Sequence, residues 1–133
     1  MNAPSIDIAD ILVAESALGL SLKSNLFIGR EPAEPNDCVT VYDTPGFPPV
    51  LTLDQAEQAI LERPSVQIRV RNRNYLTGWN LIHDITTALH GRGQETWNGT
   101  LYLLIKCESG PAMLDWDSNN RVRFIVNFYI QRR

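Results

Sequence analysis

The chain has 133 residues, a mass of 15.0 kDa and a formal net charge of −3. Hydrophobic residues make up 44% of the sequence and charged residues 20%, a balance that argues against disordered, collagen-like and coiled-coil classes. Because affinity for phosphates draws on surplus Lys and Arg, the acidic balance argues against a protein whose main ligand is nucleic acid. This length suits one modest core, so we expect residues 1–133 to form a single domain.

The N-terminal segment lacks the pattern of an export signal. Acidic residues stand where a secretory peptide would carry Lys or Arg, and Asp10 and Glu15 interrupt the apolar residues. The longest apolar run elsewhere, Leu101–Ile105, is far shorter than the ~20 residues that cross a bilayer. We therefore expect a soluble protein without a membrane partner.

A first helix is predicted from about residue 6 to residue 18, with Ser5 as its cap and Gly19 as its stop. Its apolar residues fall on two opposite sides at 100° per residue. One side carries Ile8, Ile11, Leu12 and Leu18, and the other carries Ile6, Val13 and Ala17. Two interpretations stay open: the second side faces another subunit, or it is covered by the chain's own loops.

Two short strands follow, Leu26–Ile28 and Cys38–Asp43, separated by a proline-rich loop at residues 31–37. Residues 44–49 are predicted to be a surface loop that exposes Phe47, because proline has no N–H to donate to a strand ladder. Behind a capping-box pattern, residues 54–62 consist of good helix formers and are predicted to form a short helix.

The next strand, residues 66–73, has two distinct faces. Val66, Ile68 and Val70 point to one side, and Gln67, Arg69, Arg71 and Arg73 point to the other. The first face is predicted to be core. Asn74 is then expected to cap a second helix over residues 75–89, which ends at Gly91 and has the core-facing stripe Leu81, Ile82, Ile85, Ala88 and Leu89. Residues 92–95 are predicted to be a simple connection.

The C-terminal third is predicted to contain three strands. Residues 100–108 place Leu101, Leu103, Ile105 and Cys107 on one face. Residues 109–111 break that strand, 113–117 form a short one, and 117–120 form a turn. The last strand places Val122, Phe124, Val126, Phe128 and Ile130 on the core face, with Arg121 and Arg123 opposite. The element order predicts an α+β fold: a mixed, mostly antiparallel sheet with two main helices on one face.

The sequence offers little catalytic chemistry. His83 and His90 have only Asp84 nearby, and no phosphate-binding, nucleophile-elbow or zinc motif occurs. Asp43, Asp115 and Asp117 lie at the ends of predicted strands, where aspartate commonly forms turns. We therefore favour a role in turns over a role as cation ligands. We expect no enzyme, no cofactor and no metal site.

Two cysteines, Cys38 and Cys107, fall in predicted strands without His or Cys neighbours at metal spacing. They are expected to be buried free thiols, with a disulfide or a metal site as the alternatives.

The row Arg69, Arg71, Arg73 admits three interpretations. With Tyr75 and Trp79 behind it, the row resembles a platform for single-stranded nucleic acid, in which cations follow the backbone and aromatic rings stack on bases. The same row suits a subunit interface or a solvated sheet surface. The acidic balance disfavours the nucleic-acid interpretation. Because these arginines alternate with core residues, replacing Arg69 and Arg71 by Glu is expected to leave the core intact.

Several segments together carry a resemblance to a known family. These are Cys38–Pro49 with its Tyr-Asp-Thr-Pro-Gly core, the Arg63-Pro64 entry into Val66–Arg71, the helix from Tyr75 to Leu89-His90-Gly91, and Asn119–Phe128. In this order they resemble the minor capsid or tail terminator proteins that join head and tail in long-tailed phages. The resemblance spans about residues 28–132.

The resemblance implies a structural virion protein, assembled in the host cytoplasm, that forms a ring of six copies on the tail tube. Such a ring ends tail growth and meets a head-completion or connector protein, while DNA passes through its lumen without sequence-specific binding. We expect the contacts with subunits, tail or head to involve Phe47, Arg69, Arg71, Arg73, Arg121 and Arg123. The alternatives are a head-closure or minor capsid protein of the neck, and a small host-directed binding or regulatory protein.

Overall fold

The computed structural model describes residues 1–50 and 61–133. The helical elements are α1 (Pro4–Ala14), a 3-10 turn (Ser16–Leu18) and α2 (Tyr75–Leu89). The strands are β1 (Leu26–Ile28), β2 (Cys38–Val50), β3 (Leu61–Asn72), β4 (Glu95–Trp97), β5 (Thr100–Trp116) and β6 (Val122–Arg132). Within these ranges, neither helix has the length and apolarity that crossing a bilayer requires.

The six strands form one curled sheet in the order β1-β2-β3-β6-β5-β4. Among the strands of the described residues, only the β1–β2 pair is parallel, and the other four pairs are antiparallel. Both helices pack into the same core on one face of the sheet. This confirms the predicted α+β fold with a mixed, mostly antiparallel sheet.

The core lies between that sheet face and the helices. The alternation predicted for β3 and β6 is confirmed, because the apolar set of each strand is fully buried: Val66, Ile68 and Val70, then Val122, Phe124, Val126, Phe128 and Ile130. The helices contribute Ile8, Ile11, Leu12, Ile82, Ile85 and Leu89. Burying such side chains stabilises the fold by about 1.5–3 kcal/mol each.

The start of α1 differs from the prediction. The helix begins at Pro4, and Ser5 lies inside its first turn. The backbone N–H and the hydroxyl of Ser5 donate to the two carboxylate oxygens of Asp43 in β2, at 2.9 and 2.6 Å. A distant carboxylate therefore satisfies a free N–H at the positive end of the helix, where a local cap was expected.

The end of α1 is closer to the prediction. The α-helix stops at Ala14, the 3-10 turn follows, and Gly19 ends it in the left-handed conformation (φ 66°). Ile6 and Val13, on the second apolar side, are exposed. Among residues 1–50 and 61–133, no loop therefore covers that side.

The predicted loop at residues 44–49 is wrong, because β2 continues through it to Val50. Pairing with β3 is kept at Thr44, Phe47 and Val50, with register shifts between them. The prolines fall between these paired positions, on a strand whose outer side β1 covers only at residues 39–41. Proline is tolerated there because an edge strand needs hydrogen bonds on one side only.

The helix predicted for residues 54–62 lies almost entirely outside the described residues. Its last two positions, Leu61 and Glu62, belong to β3, so the predicted end of that helix is wrong.

The predicted break at residues 109–111 is also wrong. β5 runs unbroken from Thr100 to Trp116 and absorbs Pro111 through register shifts against β6. A further shift between Tyr102 and Leu104 changes which residues face the core. Tyr102 and Ile105 are buried there, whereas Leu101 and Leu103 are only half-buried.

The connection predicted at residues 92–95 leads into a strand that was not predicted, because β4 begins at Glu95 and pairs with β5. The turn between them is Asn98-Gly99, with φ of 51° and 80°. This dipeptide is a common two-residue hairpin signal, because both positions require positive φ. The second helix matches its prediction at both ends, and the Asn74 side chain accepts from the Thr77 N–H at 3.0 Å.

Candidate interaction surface

Arg71 does not lie on an open surface. Its side chain is 2% exposed and lies under the proline loop, which we define as residues 31–37. The guanidinium donates to the Glu31 carboxylate at 3.1 Å and to four backbone carbonyls, those of Pro32 (2.6 Å), Ala33 (3.4 Å), Pro35 (2.6 Å) and Asn36 (3.1 Å). The expectation of an accessible guanidinium is wrong here, since residues of the proline loop that lie 35–40 positions earlier in the chain cover it.

Arg121 and Arg123 of the last hairpin also hold the proline loop. Buried Arg121 donates to the Ala33 carbonyl at 2.7 Å and pairs with Asp117 at 2.7 Å. Arg123 bridges Glu31 at 3.1 Å and Asp115 at 2.7 Å. The hydrogen bond to Asp115 and the nearby Glu31 carboxylate raise the pKa of Arg123 above its already high ordinary value, so Arg123 stays charged.

Arg69 and Arg73 are more accessible. The Arg73 side chain is 66% exposed, and its ion pair with Asp37 is long, at 3.4 Å. Arg69 is half-buried, stacks over the Tyr42 ring at 5.0 Å and donates to Gln67 at 2.8 Å. Of the predicted arginines, these two and the partly exposed Arg123 can meet a partner.

Phe47 is 51% exposed on the sheet face opposite the helices. Its ring contacts Tyr129 edge-on with centroids 5.6 Å apart, and the Arg63 guanidinium lies 5.3 Å from its centroid. The expected exposure is therefore present, although the residue belongs to a strand and not to a loop.

A second exposed surface was missed by sequence reasoning. We call it the aromatic patch, and its members are Tyr75, Leu76, Trp79, Met113 and Trp116, all exposed by 36–70%. Tyr75 stacks on Trp116 with centroids 6.4 Å apart, and Tyr75 and Trp79 both pack edge-on against Phe124. The start of α2 thus meets the end of β5. One feature of the sequence could have indicated this surface. Met113 and Trp116 lie close together in a strand segment whose apolar residues do not alternate with polar ones.

The acidic residues considered as cation ligands do not converge. Asp43 binds the start of α1, Asp115 pairs with Arg123, and Asp117 pairs with Arg121. Across residues 1–50 and 61–133, no group of three or more His, Cys, Asp or Glu side chains is placed to hold a metal ion. His90 accepts from the Cys107 backbone N–H at 2.9 Å, a structural contact.

Both cysteines are free thiols, Cys38 buried and Cys107 half-buried. Burial raises the pKa of each thiol. The free state is as expected, and the burial expectation holds fully only for Cys38.

The comparisons with known proteins agree with this architecture. A solved structure described as the virion of a native gene transfer agent particle has a chain that superposes with a TM-score of 0.67. The two chains are 12% identical, and the match covers 98% of this chain and 94% of the other. Among curated proteins, none matches significantly. A family model described as bacteriophage tail terminator protein matches residues 7–133. The chain therefore belongs to the bacteriophage tail terminator family.

Proposed function

We propose that this protein forms a closed ring on the end of the phage tail tube, ends tail growth and joins the tail to the head. Membership of the family makes it a structural protein of the phage tail, in a family that is not one of enzymes. The proposal includes a ring of six copies at the head–tail junction, formed by a single domain of residues 1–133, with DNA passing through the lumen.

The aromatic patch is the observation that carries the proposal. Tyr75 stacks on Trp116, Tyr75 and Trp79 share the Phe124 ring, and Leu76 and Trp116 are 70% and 50% exposed. Soluble monomers rarely expose such a cluster, and Trp and Tyr dominate the energetic centres of protein interfaces. The exposure is explained if the chain functions only in an assembly, in which a neighbouring molecule covers the patch.

A closed ring needs two different surfaces that fit each other on neighbouring copies. The outer side of α1, with Ile6 and Val13 exposed, supplies a second apolar surface. It belongs to another element than the aromatic patch, so the two do not compete for one partner. We propose that these two surfaces meet between adjacent copies.

The polar sheet face is proposed to meet the tail tube or the head connector. Arg69, Arg73 and Arg123 are available there, with Phe47 at the far end of β2. Arg71 and Arg121 act indirectly, because they hold the proline loop in place beside that face.

The test is a Leu76→Asp variant with Thr87→Asp as the matched control, since both residues are exposed on α2. We expect Leu76→Asp to melt like wild type, to lose ring assembly on purified tail tubes and to fail to complement a phage lacking the gene. Overlong tails in that infection support tail termination, whereas normal tails with leaking heads indicate head closure instead. Full complementation by Leu76→Asp refutes the role of the patch.

A further inference from the structure

A groove of about 380 Å³ lies on the sheet face opposite the helices. Four adjacent strands line it: β2 with Phe47, β3 with Arg63, β6 with Tyr129, and β5 with Lys106, Cys107 and Glu108. The Lys106 and Tyr129 positions are paired in register, so their side chains share this face. The groove is separate from the aromatic patch, which lies on the helix side.

The apolar part of the groove is held in place. Tyr129 supports the Phe47 ring edge-on, and its hydroxyl accepts from Gln131 at 2.8 Å. Arg63 stacks over Phe47 while donating to the Pro48 carbonyl at 3.1 and 2.8 Å. A half-exposed aromatic ring with a fixed guanidinium beside it can receive another aromatic side chain with little loss of conformational entropy.

The described residues give the two cations of the groove no carboxylate partner. Within the described residues, neither Arg63 nor Lys106 has a carboxylate within 4.0 Å, although Glu108 lines the groove. Ten acidic side chains in the described part of the chain already contact other groups: Asp7, Asp10, Glu15, Glu31, Asp37, Asp43, Glu62, Glu95, Asp115 and Asp117.

We propose that this groove binds a short acidic segment with an aromatic side chain, supplied by another protein of the virion. The aromatic ring packs on Phe47 and Tyr129, and carboxylates pair with Arg63 and Lys106. A second copy of the chain is the weaker source, because so many of its acidic residues are engaged. Nucleic acid is disfavoured by the net charge of −3. That the partner is another virion protein rests on the proposed function, whereas the chemistry of the bound segment rests on the groove alone.

The probe is a fluorescein-labelled peptide, Gly-Asp-Phe-Glu-Asp-Phe-Gly, and the control peptide carries Lys at each acidic position. Fluorescence anisotropy should show binding of the acidic peptide only. Lys106→Glu is expected to weaken it about tenfold or more, since reversing one charge turns attraction into repulsion at a partly desolvated contact. Lys23→Glu is the matched control, because Lys23 is the chain's other lysine and lies outside the groove.

Equal binding by Lys106→Glu and Lys23→Glu overturns the proposal, as does tighter binding of the control peptide. A Phe47→Ser variant, checked by thermal melting, should weaken binding by a similar factor. If a dT12 oligonucleotide binds in place of the peptide and Lys106→Glu abolishes that, the groove is a nucleic-acid site and the proposal fails. If the protein never forms rings but still binds the peptide in a way that depends on Lys106, the groove proposal is supported and the ring proposal is refuted.

Discussion

Replacing Arg71 by Met tests whether the buried guanidinium holds the proline loop. Met keeps most of the apolar stem, so the change removes mainly the charge and five hydrogen bonds. Removing one partner of a buried ion pair costs about 3–5 kcal/mol, because the other charge stays buried. Glu31 keeps its second partner, Arg123, so we expect a loss near the lower end, about 3 kcal/mol.

Arg73→Met is the matched control. It removes an exposed guanidinium from a pair at 3.4 Å with Asp37, a contact of a class that contributes about 0–1 kcal/mol. A total stability of about 5–15 kcal/mol makes the 3 kcal/mol loss a large fraction, so the two variants should separate clearly in urea unfolding. Equal unfolding free energies for the two variants, within about 0.5 kcal/mol, would refute the reasoning.

The same geometry revises the expectation that Glu is tolerated at both Arg69 and Arg71. At Arg69 the substitution reaches a half-exposed site, whereas at Arg71 it places a second carboxylate in a buried position beside Glu31, whose side chain is only 13% exposed. Arg69→Glu should therefore fold, and the double variant should not. Circular dichroism during thermal melting distinguishes the two, and a stable double variant would show that the loop can leave the sheet without cost.

Two further predictions follow from titratable groups. Burial disfavours ionised Asp117, but hydrogen bonds from Arg121 and from the Asn119 N–H outweigh it and lower the pKa of Asp117 below 3.8. Ionised Asp117 therefore contributes fully to stability above that pH, and the contribution is lost as the pH falls through the folded-state pKa. The difference in unfolding free energy between wild type and Asp117→Asn should shrink below about pH 4. A difference that stays constant with pH would contradict this. Both cysteines should be alkylated in denaturant without reductant, as measured by intact mass. In the native protein half-buried Cys107 should react before buried Cys38, both slowly because burial raises the pKa of each thiol; the reverse order would show that the assigned burial is wrong.

The amino-acid sequence alone determined the elements whose signals are local. Alternation over β3 and β6 predicted the core face correctly, because side chains in a strand point to alternate sides whatever they pack against. The second helix was predicted to the residue, since Asn74 and the apolar stripe act within a few turns of the chain. Together these elements also carried the family resemblance, which depends on their order.

Tertiary structure decided the elements whose partners are distant. The Asp43 carboxylate that binds the start of α1 lies 38 residues from Ser5, and nothing near Ser5 announces it. Prolines in β2 and β5 looked like strand breakers, yet an edge position and shifts of register accommodate them. The same limit applied to the candidate surface: alternation placed Arg71 on the correct face, but only the folded chain showed that the proline loop covers it. A hydrogen-bonding group takes whichever partner the fold brings near, and sequence periodicity carries no information about that choice.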